Sequence, residues 1–194
     1  AHVTVYSTRP DVEEAMRGLP DTLDAAFSAI ENAHTAGIEV NSNCVITKLN
    51  ADHLDETVSY WLTHHPYVRH FVWNNLDVAI GRAQTNRKTF LHTLKDCEAS
   101  LIRAMKLLDE SGRSFRVEKV PPCFLGDYAW ASTETRKLIK GEERLVHFLD
   151  SQQSVRQTVW DDAYGPACEH CSLREICPGV YSQGNGYSAS ELKA

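Results

Sequence analysis

Residues 21–47 read DTLDAAFSAIENAHTAGIEVNSNCVIT, and this stretch sets the architecture. Asp21 stands where a helix N-cap is expected, and Leu23, Ala26, Phe27, Ile30 and Ala33 recur at the spacing that lines one helix face. Gly37 stops that helix. From Ile38 to Thr47 the pattern becomes alternation, with Ile38, Val40, Cys44 and Ile46 on one side and Asn41, Asn43 and Val45 on the other, which predicts a strand. A helix with one apolar face, a tight stop and a strand is the unit from which a sheet with packed helices is built.

The unit recurs on both sides. Upstream, His2 to Tyr6 alternates and ends at Ser7-Thr8-Arg9-Pro10, giving a first strand. Downstream, Asn50 is expected to cap a helix with Leu54, Val58, Trp61 and Leu62 as its stripe, and Pro66 forbids its continuation. Val68 to Trp73 reads as a third strand, Gly81 closes the following loop, and a helix from about Lys88 to Leu108 carries Leu94, Cys97, Leu101, Met105 and Leu108 on one face. Phe115 to Val120 is a fourth strand. Connections of this length imply parallel strands with right-handed crossovers. In such sheets the loops after the carboxyl ends of the strands share one rim and carry the chemistry, and here they hold Ser7, Thr8, Thr47 to Asn50, Asn74 and Asn75. Beyond residue 120 the texture changes to shorter predicted helices at Thr133 to Lys140 and Glu142 to Phe148, which sets a boundary between residues 1–120 and 121–194.

The second part holds the densest chemistry. Cys168, Cys171 and Cys177 are spaced Cys-x-x-Cys-x5-Cys and followed by Pro178-Gly179, so three soft donors lie on one short loop. Cys123, held on a turn by Pro121 and Pro122, is the best fourth ligand; His170 is the alternative, although it adjoins Cys171. Zinc and an iron–sulfur cluster both accept this spacing. Disulfides are the weaker reading, because no charged-then-apolar leader is seen and the chain is not a small coreless scaffold. Free thiols at ligand spacing suit a reducing, cytoplasmic compartment. Cys44 and Cys97 sit in apolar patterns and are assigned to the core.

Over 194 residues the formal charge is −6 with no lysine- or arginine-rich run, which argues against nucleic-acid or acidic-membrane binding. No apolar stretch is long enough to cross a bilayer. His64-His65 reads as a helix-end feature, Asp161-Asp162 and Glu142-Glu143 as solvated pairs, and Ser182 to Ala194 as a tail expected to fray.

Tyr6-Ser7, the helix end Ala29 to Ile38, Val45 to Asn50 and Phe71 to Asn75 together resemble the second half of a radical S-adenosylmethionine barrel. The cysteine-rich end resembles the auxiliary-cluster domains, of SPASM and twitch type, that follow such barrels. The resemblance implies an α/β fold: a partial parallel (β/α) barrel over residues 1–120, then a small domain over 121–194 holding an auxiliary [4Fe–4S] cluster at Cys123, Cys168, Cys171 and Cys177. It implies part of an oxidoreductase that uses S-adenosylmethionine on a peptide or protein substrate, with Ser7 at the cofactor ribose and Asn74 and Asn75 on the same rim. As ordinary sequence features, Ser7 is a turn hydroxyl and the two asparagines are turn formers. Two departures stand out. The Cys-x-x-x-Cys-x-x-Cys motif for the catalytic cluster is absent, and Tyr181 occupies the position where the SPASM pattern has a further cysteine, which favours one auxiliary cluster over two. Tyr181 itself reads as a contact near the cluster or as an aromatic packed beneath the loop.

A chain starting within a strand without methionine fits a barrel lacking its first strands. The expectation is then an open edge at Val3 and Val5, with self-association or a partner chain supplying the missing half. The alternative is a non-catalytic α/β binding module with a structural zinc knuckle.

Overall fold

The computed structural model describes residues 1–148, 153–158, 162–181 and 185–194. Strand β1 (His2–Thr4) is followed by α1 (Pro10–Arg17) and α2 (Thr22–Thr35), then β2 (Asn41–Ile46), α3 (Leu54–His64) and β3 (His70–Asn75). Two short helices, α4 (Gly81–Thr85) and α5 (Arg87–Phe90), precede the long α6 (Leu94–Glu110) and β4 (Ser114–Glu118). The strands lie parallel in the order β1-β2-β3-β4, with Thr4 opposite Asn43, Asn43 opposite Val72 and Val72 opposite Arg116. Each strand is added beside the last, so right-handed crossovers put the helices on one face.

Packing accounts for the alternation. Val5, Cys44, Ile46, Phe71, Trp73, Phe115 and Val117 merge with Phe27 and Ile30 of α2, Leu54 and Trp61 of α3, and Leu94, Leu101, Met105 and Leu108 of α6 in one core. Each large apolar side chain buried there contributes about 1.5–3 kcal/mol relative to exposure. The opposite face is polar. Asn74 Nδ2 donates to Asn43 Oδ1 at 2.8 Å and Asn43 Nδ2 to Thr4 Oγ1 at 3.2 Å, a ladder across three strands. Parallel sheets are normally buried on both faces, so a polar ladder on one of them is unusual.

After β4 come 3-10 turns at Pro122–Phe124 and Gly126–Ala131, helix α7 (Thr133–Lys140), and strands β5 (Arg144–Phe148) and β6 (Gln153–Gln157), which pair antiparallel with Val146 opposite Val155. Residues 144–148 are therefore strand and not helix. Gly141 ends α7 in the left-handed conformation at φ 58°, and Leu145, Val146 and Phe148 are good strand formers.

Other expectations also shift. The helix predicted from Lys88 is broken: Leu91 is extended, and α6 starts from a capping box between Thr93 and Asp96. Asp21 makes no side-chain cap, because the turn holds it at φ 53° with its N–H on Glu14 Oε1. Asn50 does not cap α3, whose N-cap is His53. Ile38 is 49% exposed and lies before β2. β1 is the sheet edge, but Val5 is fully buried and Val3 packs on the core, so the open face there is polar. Residues 182–184 and Asp161 lie outside the described residues; Tyr187 and Leu192 are buried, so the tail packs onto the fold. Among the described residues, no helix is long and apolar enough to cross a membrane.

Candidate metal centre and the adjoining rim

The rim is built by buried polar side chains that bind strand-end backbone. Glu13, in the first turn of α1 and fully buried, accepts the N–H groups of Tyr6 and Ser7 at 2.8 and 3.1 Å on one oxygen and Arg17 Nε at 2.6 Å on the other. Arg17 also donates to the Thr4 carbonyl. Asn50, likewise buried, accepts Thr47 N–H at 2.7 Å and donates to the carbonyls of Tyr6 and Val45 at 2.9 and 3.0 Å. It fastens the end of β2 to the turn after β1. Sequence gave it a cap because Asn before an apolar helix has that signature; the rim drew the amide elsewhere, since unpaired buried carbonyls cost more than a missing cap.

Ser7 is 0% exposed. Its hydroxyl accepts Arg9 N–H at 3.1 Å, the turn role, and lies 2.7 Å from His53 Nε2. His53 Nδ1 is 2.6 Å from Asp52, whose carboxyl that hydrogen bond holds below its ordinary pKa. Serine, histidine and aspartate thus form a chain that no sequence signature announced. Burial leaves Ser7 without substrate access, so the chain orders the rim. Asn74 lies half-buried in the polar ladder, and Asn75 is buried beside it at the end of β3.

A cavity of about 320 Å³ opens between the strand ends, lined by Tyr6, Met16, Val45, Leu76, Asp77 and Phe90 among others. Asp77 Oδ2 accepts from Lys119 Nζ at 3.1 Å and from Tyr181 OH at 2.9 Å. Burial works to raise the Asp77 pKa, but the Ala79 amide, Lys119 and Tyr181 outweigh it and the net shift is downward. Burial likewise works to lower Lys119, and the Asp77 bond and nearby charges leave it raised. Lys119 has φ 60°, a strained conformation for a side-chain-bearing residue, at the point where the chain leaves β4 for Cys123.

Cys123 sits on the turn after β4, Cys168 on a 3-10 turn at Pro166–His170, with Cys171 just beyond and Cys177 before the Pro-Gly bend. All are free thiols. Burial pushes Cys177 upward, and Cys123, Cys168 and Cys171 push it the same way, while Gly179 N–H, 3.3 Å from its sulfur, pulls it down. Cys123 is raised by burial against the lowering effect of Lys193. The four sulfurs therefore share one electrostatic neighbourhood. The loop is fixed by Tyr164 OH on the Cys177 carbonyl at 2.8 Å and by a bridge between Ala163 and Val180. Arg174 stacks over the Tyr164 ring at 3.4 Å. His170 is exposed. Cys44 and Cys97 are core residues as expected, and burial pushes Cys97 up to about 12.

As free thiols, the four cysteines are soft donors whose chemistry fits a thiophilic metal or cluster. Among the described residues, no group of three or more His, Cys, Asp or Glu side chains is arranged so that it could hold a metal ion. A scan against protein-family models, a search of curated proteins and a search of solved structures each found no match.

Proposed function

We propose that this chain is the C-terminal portion of a radical S-adenosylmethionine oxidoreductase acting on a peptide or protein. Residues 1–120 form the partial (β/α) barrel, and residues 121–194 the auxiliary-cluster domain with Cys123, Cys168, Cys171 and Cys177 as ligands. What supports this reading is the Cys-x-x-Cys-x5-Cys spacing of Cys168, Cys171 and Cys177, with Cys123 on the turn that follows the last strand of a parallel sheet. The polar ladder across β1, β2 and β3 supports it, since a barrel interior would use such a face. The missing strands come from a longer chain, a partner or a second copy. Cys123, Cys168, Cys171 and Cys177 would hold a [4Fe–4S] cluster, which would supply one-electron transfer.

In this reading Asn74 lines the cofactor face, and Ser7, its hydroxyl shared between Arg9 and His53, shapes the turn below the ribose. Tyr181 ties the thiol loop to Asp77 in the rim cavity, which brings the auxiliary site next to the substrate space. Free thiols suit a cytoplasmic setting. The catalytic Cys-x-x-x-Cys-x-x-Cys motif is not in this chain, so no 5′-deoxyadenosine is expected from it alone.

The test is anaerobic purification with iron, sulfide and zinc analysis and an absorption spectrum, for the parent and Cys171→Ala. About four iron and four sulfide per chain, lost in the variant, supports the proposal. One zinc and no sulfide transfers the assignment to a structural zinc knuckle on a binding module.

A further inference from the structure

Away from the thiols, a small pocket of about 80 Å³ lies against the polar face of the sheet, between β4, α7 and the start of β5. Its lining includes Arg116, Arg136, Lys137, Lys140 and Arg144, with Glu142 as the only carboxylate among the lining residues. Glu142 is 2.7 Å from Arg144, and Glu134 is 3.7 Å from Lys137. Among the described residues, Arg116, Arg136 and Lys140 of the lining take part in no ion pair, which leaves three cations without a carboxylate partner in a chain whose formal charge is −6.

Two atoms make this more than a basic surface. Thr133, 5% exposed and part of the lining, has a buried hydroxyl with no hydrogen-bond partner. Arg116 Nε, on the same lining, is a buried donor that also lacks one. Buried donors are nearly always satisfied, and leaving one unmade costs about 1–3 kcal/mol. An oxyanion in the pocket would offer acceptors to such donors and meet the unpaired cations, and a guanidinium fork suits phosphate oxygens. The same field reaches His70, which is lowered by burial first and then by Arg116 and Arg136.

We propose that this pocket is a binding site for a compact phosphate-class dianion, with Arg116 and Thr133 as its inner donors and Arg136 and Lys140 at its mouth. The volume admits one phosphoryl group, and the unpaired cations favour a dianion over a carboxylate. The inference uses none of the thiols and stands apart from the metal reading.

Isothermal titration calorimetry of the full chain with inorganic phosphate, glycerol 2-phosphate and acetate at constant ionic strength tests it. Saturable phosphate binding is expected, weakened about tenfold in Arg116→Gln and severalfold in Thr133→Val, which keeps the side-chain volume. Arg136→Gln, at an exposed position, serves the same purpose if Arg116→Gln does not fold. Arg156→Gln removes an exposed cation paired with Glu143 outside the pocket and should bind like the parent. Glycerol 2-phosphate binding as well as phosphate would identify a monoester as the source; phosphate alone would identify the free ion. No saturable heat up to about 10 mM, acetate binding as tightly as phosphate, or equal weakening in Arg156→Gln would overturn the proposal.

Discussion

Tyr181 donates a hydrogen bond to Asp77 across 2.9 Å, joining residues 104 positions apart. Lys119 Nζ stands 3.1 Å from the same carboxylate oxygen and 3.9 Å from the centroid of the Tyr181 ring, so one carboxylate orders both neighbours. Through this contact the end of the thiol loop is pressed onto the rim after β3.

Tyr181→Phe removes that bond while keeping the ring over Lys119. The expected loss is about 1 kcal/mol in urea unfolding, with faster amide exchange at Gly179 and Val180. Unchanged exchange there would mean that the loop is held by its other contacts alone.

The same carboxylate sets an acid limb. Its folded pKa lies below the ordinary 3.8, so its stabilisation is fully present above that value and is lost as pH falls through the folded pKa. The stability gap between the parent and Asp77→Asn should therefore be widest near neutrality and close below about pH 4. Unfolding curves at several pH values measure it; a gap that widens on acidification would contradict the assignment.

Asn50→Ala strips three backbone groups, the buried Thr47 N–H and the part-buried carbonyls of Tyr6 and Val45, of their partner. We expect a loss of about 3 kcal/mol, well above the effect of an ordinary helix cap. A loss under about 1 kcal/mol would show that water or relaxation replaces the amide.

Ser7 should be inert toward fluorophosphonates despite its distance of 2.7 Å from His53, because no surface of it is exposed. Intact-mass analysis after prolonged incubation should show no adduct. Ser7→Ala should cost about 1 kcal/mol through the lost bonds. Labelling at Ser7 would mean that the rim opens in solution.

Gly179→Ala should disrupt the thiol loop. At φ +80° an added Cβ would lie 2.5 Å from the Ala163 carbonyl oxygen, on top of the strain of roughly 1–2 kcal/mol for a left-handed conformation. On the proposed metal reading, loss of metal or cluster uptake comparable to Cys171→Ala, with the sheet's circular dichroism preserved, is the expected result.

Much of this was legible in the residue pattern. The four strands through residue 118, the helices α2, α3 and α6, and the core roles of Cys44 and Cys97 follow from hydrophobic period, which local sequence sets directly; α1, α4 and α5, short and without a long apolar stripe, were not read. The thiol set was readable by spacing as a proposal. Glu13 was overlooked, although its spacing to Arg17 was a usable sign of an ion pair; its complete burial was not readable. Nothing in the sequence paired Ser7 with His53 or gave Lys119 its positive φ. The strand at Arg144–Phe148 was misread because short apolar runs lack a decisive period and pairing with Gln153–Gln157 chose the outcome.

By itself the sequence determined the repeating units, their parallel arrangement and the spacing of the cysteines, because periodicity and residue chemistry act locally. Only the tertiary structure decided that the second sheet face is a polar ladder, that Asn50 fastens two strand ends and not a helix, and that Tyr181 meets Asp77. Those outcomes depend on which distant polar groups share a buried space. A buried donor or acceptor takes whichever partner the fold brings near, since leaving it unpaired costs more than abandoning its local preference.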